Sequence, residues 1–260
     1  MITVGIDLAA EAVDTAVAWV EWSENRARVT RVETRADDGL VVEAILAAGK
    51  AGVDCPLGWP DRFVDFLVAH RGGEVALPLE GVGRLWRRDL ANRVTDLVVR
   101  ELTGQRPLSV AADRIGYVAM RCAGVMAELA RRGQVVDRRG GGVVVEVYPA
   151  ASLKRWGLPF KGYKRAANLG ELNRLVDGLG RAAPWLDLGA FEGVCRASDD
   201  AADAVVAALT ARAAALGLVT APSPGQAEAA RTEGWIAVPT TSLDGLMSRF
   251  EDDPRPGVHG

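Results

Sequence analysis

The stretch that decides the fold is residues 1–34, MITVGIDLAAEAVDTAVAWVEWSENRARVTRVET. Residues 1–8 form a short apolar run that is rich in β-branched side chains, which is typical of a strand. The same pattern recurs at residues 15–21 and 27–34, on either side of a polar turn at residues 23–25. The opening therefore predicts three consecutive strands, of which the last two form a hairpin.

Further along the chain, helices and strands alternate. Residues 39–50 have apolar side chains at helical spacing, and residues 51–55, AGVDC, predict a fourth strand before Pro56. A strong strand follows at residues 140–150, GGGVVVEVYPA, and a long alanine-rich helix begins at Asp199. This order predicts an α/β fold, in which a mixed sheet carries helices on its faces.

We predict a single domain over residues 1–250. From about residue 59 to 139 the sequence is rich in arginine and helix-like, with no convincing strand, which indicates a helical insertion. The last residues, 251–260 (EDDPRPGVHG), are typical of a disordered end.

Composition excludes several classes of protein. The chain has 260 residues, of which 49% are hydrophobic, so it can bury a sizeable core. A formal net charge of -3 excludes the strongly basic balance of a constitutive nucleic-acid coat. Only two histidines are present, His70 and His259, so a histidine-based triad or zinc site would need partners that this chain barely has. Catalysis would have to use carboxylates, lysines, tyrosines or oxygen-bound metals.

The three cysteines, Cys55, Cys122 and Cys195, are far apart in the chain and form no paired motif. They therefore indicate neither a disulfide framework nor a thiolate zinc site. No charged leader precedes the first strand, and no apolar stretch reaches the roughly 18 residues of a membrane span. We expect a cytoplasmic protein without membrane association.

Acidic side chains stand inside apolar runs at several points. Asp7 ends the first strand, Asp54 ends the fourth, and Glu146 lies between valines. Burying an isolated carboxylate is unfavourable by several kcal/mol or more, so the presence of these acids in apolar strands requires an explanation. The helix that opens SDDAADAVVAAL adds Asp200 and Asp203, which share a face at i and i+3.

If such acids converge, each like-charged pair about 4 Å apart costs about 4 kcal/mol at an effective dielectric near 20. A divalent cation would remove that repulsion, and oxygen ligands alone suit Mg²⁺ or Mn²⁺. Two such ions would suit phosphodiester hydrolysis. Simpler alternatives remain open: Asp200 could cap its helix, Asp7 and Asp54 could form turns, and Glu146 could pair with an arginine.

Basic and aromatic residues flank these motifs. Lys164 is the best candidate for stabilising negative charge that develops on a phosphate. The candidates for contact with substrate are Arg93, Arg114, Lys161 and Tyr163. The alternative is a solvated helix face for the cations, and Arg93 could instead pair with Asp96 at i+3.

Several motifs, in order and over nearly the whole chain, resemble those of the family catalogued as domain of unknown function 429. These motifs are VGIDLA, GVDCPLGWP, RVTD, PLSVAADRIG, VVEVYPAASL, GYK, DDAADAVVAAL and EGWIAVP. The family is regarded as predicted nucleases, so the resemblance implies a ribonuclease H-like fold, a mixed five-stranded sheet with flanking helices. The string DAADA at residues 200–204 also resembles the metal-binding helix of Holliday-junction resolvases.

The resemblance implies four metal ligands: Asp7 on the first strand, Asp54 on the fourth, and Asp200 with Asp203 on the helix. Glu146 is implied as an extra acid of the site. We therefore expect a Mg²⁺- or Mn²⁺-dependent nuclease acting on a nucleic acid. The alternatives are a non-catalytic module of this fold that binds nucleic acid or a protein, and a phosphotransferase of the actin-like fold, for which the chain is short.

Overall fold

A computed structural model of the chain describes residues 1–76 and 83–248. The predicted disordered end at residues 251–260, with His259, lies outside the described residues. The strands are β1 (Ile2–Asp7), β2 (Ala16–Trp22), β3 (Ala27–Thr34), β4 (Lys50–Asp54), β5 (Val144–Val147), β6 (Leu186–Asp187) and β7 (Ile236–Ala237). The helices are α1 (Asp38–Leu46), α2 (Asp61–Gly72), α3 (Arg84–Ala91), α4 (Val94–Thr103), α5 (Ile115–Arg131), α6 (Pro149–Arg155), α7 (Leu169–Ala182), α8 (Glu192–Ala197), α9 (Asp199–Ala215) and α10 (Ala227–Glu233).

The strands form one mixed sheet in the order β6-β3-β2-β1-β4-β5-β7. Strand β2 runs antiparallel to β1 and β3, and the other pairings in this sheet are parallel. The prediction of an α/β fold with a mixed sheet and flanking helices is confirmed. The predicted number of five strands is wrong, because β6 and β7, of two residues each, extend the sheet at its edges.

Helix α9 lies directly against the centre of the sheet because two strand glycines give it room. A Cβ atom added to Gly5 on β1 would lie 1.9 Å from the Ala204 carbonyl oxygen of α9. A Cβ atom on Gly52 of β4 would lie 2.5 Å from the Ala207 carbonyl oxygen. Both glycines and the small side chains of α9 are thus required for this close contact.

The two faces of the sheet carry separate hydrophobic cores. On one face, α9 and α7 pack with the side chains of β2 and β3 around Val20 and Leu209. On the other face, α1 and α5 pack on β1 and β4. Helix α5 buries Cys122, Val125 and Leu129 there, at the spacing of one helical face.

The predicted insertion at about residues 59–139 contains α2, α3, α4 and α5. Since α5 contributes to the core beneath β1 and β4, this segment covers one face of the sheet as well as its rim. No helix in the described part of the chain combines the length and the hydropathy that crossing a membrane requires.

Candidate functional site

Two aspartates lie side by side where the central parallel strands end. Asp7 of β1 and Asp54 of β4 are partners in the strand register, as are Gly5 and Gly52 two residues earlier. Alternate residues of a strand share a face, so both carboxyl groups lie on the face against which α9 packs. The sheet thus brings together two acids that are far apart in the sequence.

Helix α9 brings Asp203 to the same face. Asp203 lies one turn inside the helix, and its side chain has 0% exposure. The Tyr163 hydroxyl donates a hydrogen bond of 2.8 Å to its Oδ1 atom. Lys164 Nζ lies 2.6 Å from its Oδ2 atom as an ion pair. That Oδ2 atom has no hydrogen-bond partner of normal geometry within the described residues, and the Lys164 ammonium is the charged group that lies against it.

Asp200 precedes Asp203 by one turn, but it does not cap the helix. Ser198 is the N-cap, and its hydroxyl accepts a hydrogen bond of 3.2 Å from the Ala201 backbone N–H. The carboxyl group of Asp199 accepts from the Arg165 backbone N–H at 3.2 Å. The capping alternative for Asp200 is therefore excluded in this structure.

The pKa values of three acids indicate that negative charge is crowded here. Burial raises the pKa of Asp7 well above its usual range, Lys164 opposes the rise, and Asp203 adds to it. Burial also raises the pKa of Asp54 to about 7, again with Lys164 opposing and Asp203 adding. The pKa of Asp200 is raised to about 6 by burial first and by Asp199 next. Each carboxyl group is therefore held closer to its protonated form than in water.

Lys164 is the cation that partly balances these acids. Burial would lower the pKa of its ammonium, but Asp203, Asp7 and Asp54 together raise it above the ordinary value. Although 52% of the Lys164 side chain is exposed, its tip lies against a buried carboxylate. The ammonium is thus fixed in its charged form at the centre of the acids.

The residues fit a divalent cation in donor type and in charge. Four carboxyl groups supply only oxygen ligands, which Mg²⁺ and Mn²⁺ prefer, and a single ammonium leaves negative charge in excess. However, no group of three or more histidine, cysteine, aspartate or glutamate side chains among residues 1–76 and 83–248 is arranged to hold a metal ion. Binding an ion would therefore require side chains such as Lys164 to move, and the four ligands stay a prediction.

Glu146 lies on the opposite face of the sheet from Asp54, which corrects its predicted place among the aspartates, although both residues line the same cleft. Its register partner is Val53, the neighbour of Asp54, so the two acids point to different faces. Glu146 accepts hydrogen bonds from Arg93 at 2.9 and 2.7 Å and from the Leu57 backbone N–H at 3.0 Å. Burial raises the pKa of Glu146, and Arg93 opposes the rise. Its role is that of a buried ion-pair partner.

Arg93 is likewise corrected as a candidate for substrate contact. Its guanidinium is buried and donates to Asp96 at 2.9 Å, to Glu146, and to the Glu233 carbonyl oxygen at 3.1 Å. With its donors engaged inside the protein, it has none left for a phosphate. Arg93 instead ties the start of α4 to β5 and to the end of α10.

The other predicted contacts divide between core and surface. Tyr163 is 1% exposed and belongs to the core beneath α9, which corrects its prediction as a residue in contact with substrate. Lys161 is exposed, with Nζ 5.4 Å from the centre of the Phe160 ring. Arg114 is exposed at the start of α5. In the described part of the chain, neither cation forms an ion pair with the acids, so both stay predictions.

The sequence analysis missed Tyr148, which follows β5 and lines a cleft of about 280 Å³ together with Asp54 and Lys164. Burial raises the pKa of the Tyr148 hydroxyl, and Asp54 raises it further. The available signal was its position directly after a strand that neighbours the strand of Asp54. Side chains at the carboxyl ends of adjacent parallel strands meet at one edge of a sheet.

Comparison with known proteins gives one match. A family model described as protein of unknown function, DUF429, matches residues 5–227 of the chain. No curated protein and no solved structure matches it. The matched range contains all four acids on the α9 face, together with Tyr148 and Lys164.

Proposed function

The chain belongs to the DUF429 family of proteins of unknown function, and from this premise we propose that it is a nuclease that depends on Mg²⁺ or Mn²⁺. One observation carries the proposal. Asp7 and Asp54 are register partners at the ends of two parallel strands, and α9 brings Asp203 to the same face. An acidic group at this edge of an α/β sheet is placed where such sheets bind ligands.

The topology supports a ribonuclease H-like arrangement in particular. Strands β1, β2 and β3 form a meander, β4 pairs in parallel with β1, and β5 pairs in parallel with β4. Helix α9, which carries Asp200 and Asp203, packs against the central strands. The resemblance in sequence implied such an arrangement, to which the edge strands β6 and β7 and helices α2 to α5 would be additions.

The chemistry assigns a role to each side chain. Asp7, Asp54, Asp200 and Asp203 would hold the cation, which when bound supplies a polarised phosphoryl oxygen and a more acidic water. Tyr163 fixes the orientation of Asp203 through its hydrogen bond. Lys164 offers an ammonium beside the acids, where it can stabilise negative charge on the reacting phosphate.

A second candidate is a non-catalytic module that binds nucleic acid or a protein. The observation that favours it is the Lys164–Asp203 ion pair, which balances a buried charge without any metal. In that case the pair would be a structural element only. The two candidates differ in what a divalent cation does to the protein.

Thermal unfolding with metal separates them. A nuclease of this kind should be stabilised by MgCl₂ or MnCl₂ relative to EDTA, because a ligand that binds only the folded state raises the melting temperature. Asp203→Asn should abolish the rise, whereas Asp65→Asn, a change at an exposed aspartate of α2, should leave it intact. A parent protein that does not respond to either metal would favour the module.

Activity requires a direct assay. The parent should cleave at least one member of a panel of single-stranded, duplex and branched DNA and RNA, and Asp7→Asn should reduce cleavage to background. Hydrolysis of ATP, measured in parallel, tests the phosphotransferase alternative. Cleavage that survives in Asp7→Asn would contradict the proposed mechanism.

A further inference from the structure

The cleft beside the acids has largely apolar walls. Its lining includes Pro56, Pro107 and Pro149, each from a different segment of the chain, and we call it the proline cleft. The ring of each proline fixes its backbone φ angle, which restricts the local conformations of these segments.

The size of the cleft limits what it can hold. Its volume is about 280 Å³, below the roughly 300 to 1,000 Å³ of sites for drug-sized ligands. A single flat ring system fits this volume, whereas a base pair within a stacked duplex does not. Apolar walls with a few polar groups at one end are typical of small-molecule sites.

The polar end of the proline cleft faces the candidate catalytic acids. Asp54 and Lys164 lie there, Tyr148 lines the same space, and the buried Arg93–Glu146 ion pair forms a further part of the lining. Tyr148 is half-buried, and its hydroxyl has no hydrogen-bond partner among the residues that the structure describes. An aromatic ring with a free hydroxyl can both stack on a base and hydrogen-bond to it.

We propose, resting on the proposed nuclease function, that the proline cleft binds one unpaired nucleotide of the substrate strand, with its base against Tyr148 and its phosphate toward Lys164. The occupant follows from the combination of an apolar slot of this size, an aromatic side chain and an adjacent ammonium. Enzymes that read a single base act on single strands or extrude the base from a duplex. The substrate is therefore a nucleic acid with at least one unpaired nucleotide at the cleavage point.

Binding can be measured without cleavage. Fluorescence anisotropy would use labelled DNA and RNA strands of about ten nucleotides, and the matching duplexes, in CaCl₂, with gels to verify that the probes stay intact. The parent should bind a single strand more tightly than the duplex. Ala150→Trp, which fills the proline cleft, should weaken single-strand binding about tenfold or more.

Matched variants distinguish the loss of the cleft from a general effect of substitution on folding or binding. Met120→Trp lies in a different groove, of about 510 Å³, and should change binding less than about twofold. Tyr148→Ala should weaken binding about tenfold, whereas Tyr148→Phe should keep most of the affinity because the ring remains. Circular dichroism verifies that each variant is folded.

The outcomes distinguish the cleft from the nuclease function. If the parent cleaves a substrate but Ala150→Trp and Tyr148→Ala bind it as tightly as the parent, the proline cleft is not the site. If binding depends on the cleft but no substrate is cleaved, the binding site stands and the nuclease function fails. A parent that prefers duplex, or binds no nucleic acid, overturns the proposed occupant.

Discussion

At the scale of single residues, the contacts of Asp203 are the most informative feature of the site. Consecutive residues of one loop, Tyr163 and Lys164, each contact a different oxygen of this carboxylate. Any cation that binds Asp203 must therefore share or displace these donors. The donors of this loop and a bound cation therefore compete for the Asp203 carboxylate.

Lys164→Met tests this competition. Removing the ammonium leaves the negative charge of Asp7, Asp54 and Asp203 unbalanced, so we expect Mn²⁺ to bind about tenfold more tightly, as measured by calorimetry. The metal-free variant should melt at a lower temperature than the parent, since a buried carboxylate loses its partner. Lys161→Met, an exposed neighbour in the same loop, is the control. Unchanged or weaker Mn²⁺ binding in Lys164→Met would show that the ammonium does not oppose the metal.

A change at Glu146 is predicted to alter stability and not metal binding, because its carboxylate is the ion-pair partner of Arg93. Glu146→Gln should lower the free energy of unfolding by about 3 kcal/mol, measured with urea, since it weakens the compensation of a buried guanidinium. The stabilisation by Mn²⁺, measured as the difference in melting temperature with and without metal, should persist. Loss of that difference would return Glu146 to the metal site.

The sequence could predict Asp7 and Asp54 but not the face of Glu146. An acid that ends an apolar strand is visible in the sequence, and parallel neighbours align such ends. The face of Glu146 depends on the register between β4 and β5, which are joined through a long connection that contains α2 to α5. A shift of one residue in that register moves a side chain to the other face, and nothing local specifies it.

At the scale of elements, the contact between α9 and the sheet sets the distance between the acids. Gly5 and Gly52 allow the helix backbone to lie on the strands. The sequence predicted an alanine-rich helix that begins at Asp199, and the helix is found at Asp199–Ala215. The strand β6 could not be predicted, because two residues carry no periodic pattern.

Gly5→Ala should separate the helix from the sheet. The added Cβ atom would meet the backbone of α9 at Ala204, so we expect a loss of about 3 kcal/mol or more in the free energy of unfolding, measured with urea. The stabilisation by Mn²⁺ should fall as well, because Asp203 moves away from Asp7. Gly180→Ala, in α7 with open space around it, should be neutral or slightly stabilising. Equal effects of the two changes would contradict this account of the packing.

At the scale of the whole molecule, the raised pKa values link stability to pH. In the folded protein burial raises the pKa of Asp54 to about 7 and that of Asp200 to about 6, whereas the ordinary pKa of an aspartate is 3.8. At pH values between the ordinary aspartate pKa and these raised pKa values, the folded state therefore binds more protons than the unfolded state. The free energy of unfolding must fall as pH rises through this range.

We expect the melting temperature in EDTA to decrease from about pH 4 to about pH 7, and Asp54→Asn to flatten the decrease. At pH 7, addition of MnCl₂ should restore stability by balancing the ionised acids. Differential scanning calorimetry across this range measures both effects. A melting temperature that rises steadily with pH in EDTA would show that burial does not raise the pKa values of these acids.

The two ends of the sheet have a consequence for assembly. Strand β6 covers only the first residues of β3, and the rest of that edge carries charged side chains such as Arg31 and Glu33. Strand β7, at the far end, is two residues long. Short outer strands and charged borders are devices by which proteins prevent a neighbour's backbone from docking onto their own. Concentrated solutions of this protein should therefore resist fibril formation by sheet extension.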